Sequence, residues 1–147
     1  MRRFPMLTLP LVLTLAPLGV GACGKAFEQE IGTAGDTMAY DVTSFTVRAG
    51  QKVHVVLKNH GHTSAMVHNF VLVQPGTEQS VAAGGMEAGL AANYVKVGDP
   101  NVLASSPLSQ PGTTTEVTFT APSKGKYPYI CTFPGHYTTM KGTLNVE

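Results

Sequence analysis

Residues 131–140, Cys-Thr-Phe-Pro-Gly-His-Tyr-Thr-Thr-Met, bring a thiol, an imidazole and a thioether together within one short segment. A helix does not suit this segment, because at about 100° per residue Cys131 and His136 would point roughly 140° apart. The Pro134-Gly135 pair is typical of a turn. The flanking stretches YPYIC and KGTLNVE alternate as strands do. The segment therefore predicts a loop between two β-strands, with Cys131 ending one and Met140 beginning the next.

The chain from about residue 27 onward predicts an all-β domain. Strand-like stretches separated by turn signals are FEQEIGT, MAYDVTSFTVRAG, KVHVVLKN, HNFVLV and TTTEVTFTAP. In KVHVVLKN, Val53, Val55 and Leu57 fall on one face, whereas HNFVLV is apolar enough to be buried on both faces. Residues 79–95 are rich in Ala, Gly, Met and Leu, which predicts one or two short helices or an irregular flap. Seven or eight short strands with one helical insertion predict a β-sandwich.

The N-terminal residues have the pattern of an export signal. Arg2 and Arg3 precede an apolar stretch that ends in Val-Gly-Ala-Cys at 20–23, as in a secretory signal peptide. A Cys directly after small residues also resembles the lipobox of bacterial lipoproteins, where the signal is cut before the Cys and the thiol carries lipid. We predict a signal peptide over 1–22, a lipidated Cys23 with a short tether over 23–28, and one domain over 27–147. The alternative is an ordinary signal peptide whose cut lies near a Cys.

Charge and cysteine count narrow the functional classes. Without Arg2 and Arg3 the chain has eight Lys or Arg and nine Asp or Glu, so its formal charge is 8 − 9 = −1. This value implies neither a nucleic-acid partner nor a strongly charged docking surface. The two cysteines are Cys23 and Cys131. If Cys23 carries lipid, Cys131 is an unpaired thiol in an oxidising compartment, and a bound metal would protect it.

Among the histidines, His68 is the best additional metal donor, because it opens the apolar stretch HNFVLV and is expected at a strand end. His60 and His62 belong to a polar turn and are expected to be solvated, and His54 is expected to face outward from its strand. One thiolate, two imidazoles and a thioether form a soft donor set. Structural zinc normally takes more cysteines, whereas two His and one Cys with a weak axial Met are typical of blue-copper electron-transfer sites.

The same residues carry a resemblance to a known family. CTFPGHYTTMKGTLNV and AMVHNFVLV resemble the copper-site segments of azurin, and GLAANYVKVGDPNVLASSPL is similar to auracyanin. The resemblance covers roughly residues 27–147 and implies the cupredoxin fold, a Greek-key β-sandwich with a helical flap, and one copper ion per chain. It implies the copper ligands His68, Cys131, His136 and Met140.

The resemblance also implies roles for residues around the ligands. Asn69 matches the family's Asn that ties the two ligand loops together. Val67 stands where azurin has a Gly whose carbonyl makes a weak second axial contact, so four-coordination is expected, with the Val67 carbonyl as the candidate fifth donor. Met66, Phe133 and Pro134 are expected to form an apolar docking patch around His136.

The expected function is one-electron transfer between redox proteins by a blue (type 1) copper protein. We expect a monomer that is exported and anchored by lipid on Cys23, facing the periplasm or the cell exterior, without nucleic-acid binding and without enzymatic activity. A copper storage or delivery protein is the alternative within copper chemistry. Two further alternatives are a nucleophilic Cys/His pair, which lacks a third partner or oxyanion-hole motif, and a sandwich in which Cys131, His136 and Met140 are only buried side chains.

Overall fold

The computed structural model describes residues 25–147. In this part of the chain the elements are β1 Phe27–Gly32, β2 Ser44–Val47, β3 Lys52–Lys58, β4 Val71–Val73, α1 Glu78–Ala88, a 3₁₀ turn Leu90–Ala92, β5 Val102–Ser105, β6 Thr114–Thr120, β7 Gly125–Ile130 and β8 Lys141–Val146. The predicted all-β architecture with one helical insertion is confirmed. Strand β5 was not predicted as a separate element. The strand β1 already includes Phe27 and Glu28, the last residues of the expected tether.

The strands form two sheets. One sheet has the order β1-β3-β6, and the other has the order β2-β8-β7-β4-β5. The β1/β3 and β2/β8 pairs are parallel, and the remaining pairs are antiparallel. Because β7 and β8 are paired from Gly125 and Val146 to Ile130 and Lys141, the loop 131–140 closes directly over the end of this ladder.

The core lies between the two sheets. The predicted face of β3, with Val53, Val55 and Leu57, is fully buried, as expected for a strand with strict alternation. On the side of the other sheet the ring of Phe70, just before β4, stacks on the ring of Tyr129 in β7, with centroids 5.1 Å apart. Phe70 and Tyr129 belong to the same core cluster as the β3 residues.

Strand β4 is buried on both faces, as predicted. Its Val71 and Val73 do not point into the main core but pack against Val81 and Ala82 of α1, while Leu72 belongs to the main core. The helical insertion therefore covers the outer face of β4. This explains why HNFVLV lacks the alternation of a half-exposed strand.

The sandwich has two ends, which are formed by different segments of the chain. One end, which we call the metal-centre end, holds the loop 131–140 and His68. The opposite end, which we call the basal end, consists of residues 25–26, 46–52, 121–126 and 145–147. Its segments are joined by backbone hydrogen bonds from Ala49 N–H to the Glu147 carbonyl (2.9 Å) and from Gly50 N–H to the Ala121 carbonyl (3.0 Å). None of the helices in residues 25–147 is long and apolar enough to span a membrane. The predicted signal peptide and lipidated Cys23 lie outside the described residues.

Candidate metal centre

The loop 131–140 is closed by its own backbone. The N–H of Cys131 donates to the carbonyl of Met140 (3.1 Å), and the N–H of Met140 donates to the carbonyl of His136 (2.9 Å). His136 N–H donates to the Phe133 carbonyl (3.0 Å), with Pro134 and Gly135 between them. Gly135 has φ of +85°, the third-position conformation of a type II turn, which favours glycine. The predicted loop is thus confirmed, and its turn brings the His136 ring back towards Cys131.

His68 is fixed just before β4 by an isolated bridge to Ser109. Its N–H donates to the Ser109 carbonyl (3.1 Å), and the N–H of Ser109 donates in return. The buried amide of Asn59 also donates to the carbonyls of Met66 and Ser109, at 2.7 and 2.8 Å. These bonds tie the His68 backbone to Ser109 and the Met66 backbone to Asn59, so the segment that carries the His68 ring is fixed.

Three donor atoms converge between these two segments. Cys131 Sγ lies 3.8 Å from His68 Nδ1 and 3.7 Å from His136 Nδ1, and the two Nδ1 atoms are 3.2 Å apart. Around an ion with bonds of about 2.0–2.1 Å to nitrogen and about 2.3 Å to sulfur, trigonal donors would be about 3.8 Å apart for N and S and about 3.6 Å for N and N. The observed triangle is thus close to the size that a first-row transition metal requires.

The donors are also buried. His68 and Cys131 have no exposed surface, and His136 is 5% exposed. Met140 has no exposed surface either and belongs to the same buried cluster as Cys131, with Phe133 packed against it. Of the four predicted ligands, the structure thus brings His68, Cys131 and His136 into one triangle and places Met140 beside Cys131 by the backbone pairing of the loop.

Burial sets the protonation states of the donors in the metal-free protein. Desolvation raises the pKa of the Cys131 thiol to about 11, although the backbone N–H groups of Asn69 and Phe133 lower it in part. Desolvation, and secondarily the charge of His136, lowers the pKa of His68 to about 4, and desolvation also lowers the pKa of His136. Both imidazoles are therefore neutral at pH 7 and have lone pairs for a metal, whereas binding at Cys131 must displace a proton.

A hydrogen-bonded amide connects the two ligand segments. Asn69 is fully buried; its Oδ1 accepts from the Thr132 N–H (2.9 Å), and its Nδ2 donates to Thr132 Oγ1 (2.8 Å) and to the Asn93 carbonyl (3.0 Å). The hydroxyl of Tyr40 donates to the Asn69 carbonyl (2.6 Å). Asn69, the residue after His68, is thus joined directly to Thr132, the residue after Cys131.

Sequence reasoning missed Thr132, Asn93, Tyr40 and Ser109. Thr132 could have been found because it adjoins Cys131. The other three lie far from the ligands in sequence, and nothing in their neighbouring letters indicates the contact. The left-handed conformation of Asn93, with φ of 54°, is typical of Asn, but its use in binding Asn69 emerges only in three dimensions.

The remaining histidines lie outside the triangle, as predicted. His60 and His62 are exposed, and His62 pairs with Asp36 (3.6 Å). His54 faces outward from β3 and contacts Glu116 (3.0 Å). Nearer to the donors, Val67 is buried, and Met66, Phe133 and Pro134 are partly exposed.

Comparison with known proteins agrees with this site. Residues 27–147 match the family of copper-binding proteins described as plastocyanin/azurin. Auracyanin-A of Chloroflexus aurantiacus is 46% identical over 120 residues, covering 80% of this chain and 73% of that protein. An azurin of Achromobacter denitrificans is 39% identical over 149 residues, covering 95% and 96%.

Solved structures give the same result. Auracyanin A of Chloroflexus aurantiacus, described as a "blue" copper protein, superposes with a TM-score of 0.77 at 44% identity, covering 84% of this chain and all of that one. An azurin from Methylomonas sp. strain J superposes with a TM-score of 0.78 at 36% identity, covering 84% and 99%. The family match over residues 27–147 and these identities show that the chain belongs to the plastocyanin/azurin family of copper-binding proteins.

Proposed function

We propose that this protein is a one-electron carrier and that His68, Cys131, His136 and Met140 would hold its copper. The observation that carries this proposal is the buried triangle of two Nδ1 atoms and one Sγ atom at 3.2–3.8 Å. When bound there, copper supplies Cu(II)/Cu(I) redox chemistry, for which a site with His₂Cys and axial Met is suited.

The surrounding residues keep the donors still. Asn69, Thr132 and Ser109 fix the ligand segments by hydrogen bonds, and the loop 131–140 is closed by its own backbone. Donors held in this way move little when the charge at the site changes. Asn69 adds a further effect, since its backbone N–H and that of Phe133 point at the sulfur and lower the pKa of the thiol against the larger effect of burial. Such outer contacts orient ligands and tune the metal. In this proposal the Val67 carbonyl would be a candidate fifth donor.

A carrier rather than an enzyme is favoured by the closure of the site. His68, Cys131 and Met140 have no exposed surface, and His136 is only 5% exposed. A substrate would need access and an open coordination position. An electron needs no such opening, only a short distance between the metal and the protein surface.

We place the electron port at His136, the only one of the four proposed ligands with any exposed surface. The aromatic ring of Phe133 lies 4.9 Å from the His136 ring, and Met66 and Pro134 complete the proposed apolar docking patch. Met66→Glu should slow electron exchange between copies of the protein, measured by NMR line broadening, and leave the visible spectrum unchanged. Met86→Glu is the matched control, since Met86 is 59% exposed on α1. If electron exchange were equally fast in Met66→Glu and Met86→Glu, the electron port would lie elsewhere.

The proposed location is the outer face of a membrane, reached by export and held by lipid on Cys23. Its partners would be redox proteins at or near that membrane. Cys23→Ser should make the protein soluble after cell fractionation or leave its signal uncleaved. Wild-type protein found freely soluble, with its N-terminus beyond Cys23, would contradict the anchor without affecting the copper site.

Copper storage or delivery is the competing function. Voltammetry of the copper-loaded protein separates the two, because a carrier should cycle reversibly without losing metal. Rapid transfer of the copper to a chelator during cycling would favour delivery.

A further inference from the structure

The cationic side chains are distributed unevenly over the molecule. Of the eight Lys and Arg residues in 25–147, five lie at the basal end, namely Lys25, Arg48, Lys52, Lys124 and Lys126. All five are exposed. Within residues 25–147, none of the five forms an ion pair within 4.0 Å. Lys58, which is not at the basal end, does form one, with Glu30.

The sheet topology brings these five residues together from three separate segments. Lys25 lies two residues before β1, whose Phe27 pairs with Val53 beside Lys52. The turn that holds Arg48 is bonded to Ala121 and Glu147. Lys124 and Lys126 line a shallow depression together with Thr46, Asn145 and Glu147.

Acidic residues do not offset this charge locally. Glu147 is the acidic residue at the basal end, and Glu28, further along β1, lies 3.7 Å from His54. The other acidic residues lie on the strands, on the loop after β1 and around the helical insertion: Glu30, Asp36, Asp41, Glu78, Glu87, Asp99 and Glu116. The net charge of −1 therefore conceals a basic end.

We infer that the basal end rests on anionic lipid headgroups, so that the metal centre points away from the membrane. This inference rests on the proposed anchor at Cys23, which is two residues before Lys25 and therefore within about 7 Å of it. Acyl chains attached there would bring this end, and no other, against the bilayer. Basic groups close to an anionic leaflet add to the affinity that acyl chains give.

The orientation suits the electron port. The basal end and the metal-centre end are separated by the length of the strands, such as the seven residues of β3, which is about 20 Å. If the basal end contacts the membrane, His136 faces partners in the aqueous phase. If the protein rotates freely about its tether, His136 faces them only part of the time.

Surface labelling of the lysines tests this orientation. The copper-loaded protein, extracted from the membranes of the expressing cells, is reconstituted into neutral phosphatidylcholine vesicles or into vesicles that also contain phosphatidylglycerol. A membrane-impermeant amine reagent is added, and labelling is read residue by residue by mass spectrometry. Labelling of Lys52, Lys124 and Lys126 should fall by about threefold or more in the anionic vesicles and recover at about 0.5 M salt. Exposed Lys96 and Lys141, at other parts of the surface, are internal controls and should label equally in both.

Charge reversal provides a second comparison. Lys124→Glu with Lys126→Glu should abolish the protection of Lys52, whereas Lys96→Glu with Lys141→Glu, which changes the net charge by the same amount, should preserve it. Protein that floats with both kinds of vesicle but labels uniformly would overturn the inference and leave the anchor intact. Protein that floats with neither would refute the anchor and the inference together.

Discussion

At the residue scale, the donors combine burial with neutrality. His68 is fully buried, and its pKa is lowered to about 4 from an ordinary value of 6.5. A metal-binding histidine usually donates a hydrogen bond from its second ring nitrogen. The Nε2 of His68, in contrast, has no hydrogen-bond partner in the described residues. The ring orientation is therefore set by packing and by the Nδ1 side, where a metal would lie.

This pKa predicts how the metal-free protein responds to acid. Between pH 6.5 and about 4 the unfolded chain binds a proton at His68 that the folded protein does not bind. The free energy of unfolding should therefore fall as the pH is lowered through this window, by up to about 1.4 kcal/mol per pH unit from this group, and level off below it. Urea unfolding at several pH values measures the slope. His68→Gln should reduce the slope relative to the wild-type protein. An unchanged slope in His68→Gln would refute the assignment of this pKa to His68.

Met140 gives a second prediction at this scale. A weak axial thioether tunes a blue-copper site more than it retains the ion. Met140→Gln should therefore keep copper and lower the reduction potential, because a harder oxygen donor favours Cu(II). Voltammetry of the two proteins measures the shift. An unchanged potential would show that Met140 is too far from the metal to act as a ligand.

At the element scale, the helical insertion is part of the metal-centre support as well as a cover for β4. Gly85 of α1 is buried against Tyr94, and a Cβ at Gly85 would overlap the Tyr94 carbonyl oxygen and lie 3.5 Å from Cβ of Thr132. Tyr94 has φ of +53°, which costs a non-glycine residue about 1–2 kcal/mol. Its ring packs edge-on against Phe133, with centroids 5.3 Å apart. The close helix approach at Gly85 thus helps hold a strained turn against the loop 131–140.

Two neighbouring glycines test this role. Gly85→Ala should destabilise the protein by about 1–3 kcal/mol through overpacking and shift the reduction potential. Gly84→Ala is the matched control, since a Cβ there would meet only the Lys96 side chain at 3.5 Å. The control should stabilise α1 by up to about 1 kcal/mol and leave the potential unchanged. Denaturant unfolding measures the stability of both variants, and voltammetry measures their reduction potentials. If Gly85→Ala and Gly84→Ala had the same reduction potential, the role of the insertion would be only structural.

The success of sequence reasoning also varies by element. Strands β3, β6, β7 and β8 could be predicted because their residues largely alternate between the core and the solvent, although the inner residues of β6 are only partly buried. Strand β5 could not, since all four of its residues are half-buried and give no alternation. The ligand loop was predictable because three of its donors lie within ten residues, and His68 because it begins an apolar stretch. The hydrogen bond from Asn69 to Asn93 spans 24 residues and depends on the packing of the insertion.

At the scale of the whole molecule, the two ends of the sandwich have separate proposed roles. Strand order brings the donors to one end and five cations to the other, from positions dispersed over more than 100 residues. Composition could not predict this arrangement, because the charges nearly cancel in the sum. The fold thus converts dispersed residues into a redox end and a basic end.

The most direct test of the central claim is the visible spectrum of the copper-loaded protein beside that of Cys131→Ser. A thiolate bound to Cu(II) in trigonal geometry should give the wild-type protein an intense charge-transfer band at about 600 nm. Cys131→Ser should lose this band while circular dichroism shows the same β-sheet content. A wild-type protein that binds copper without the band, or a Cys131→Ser protein that remains intensely blue, would contradict the proposed site.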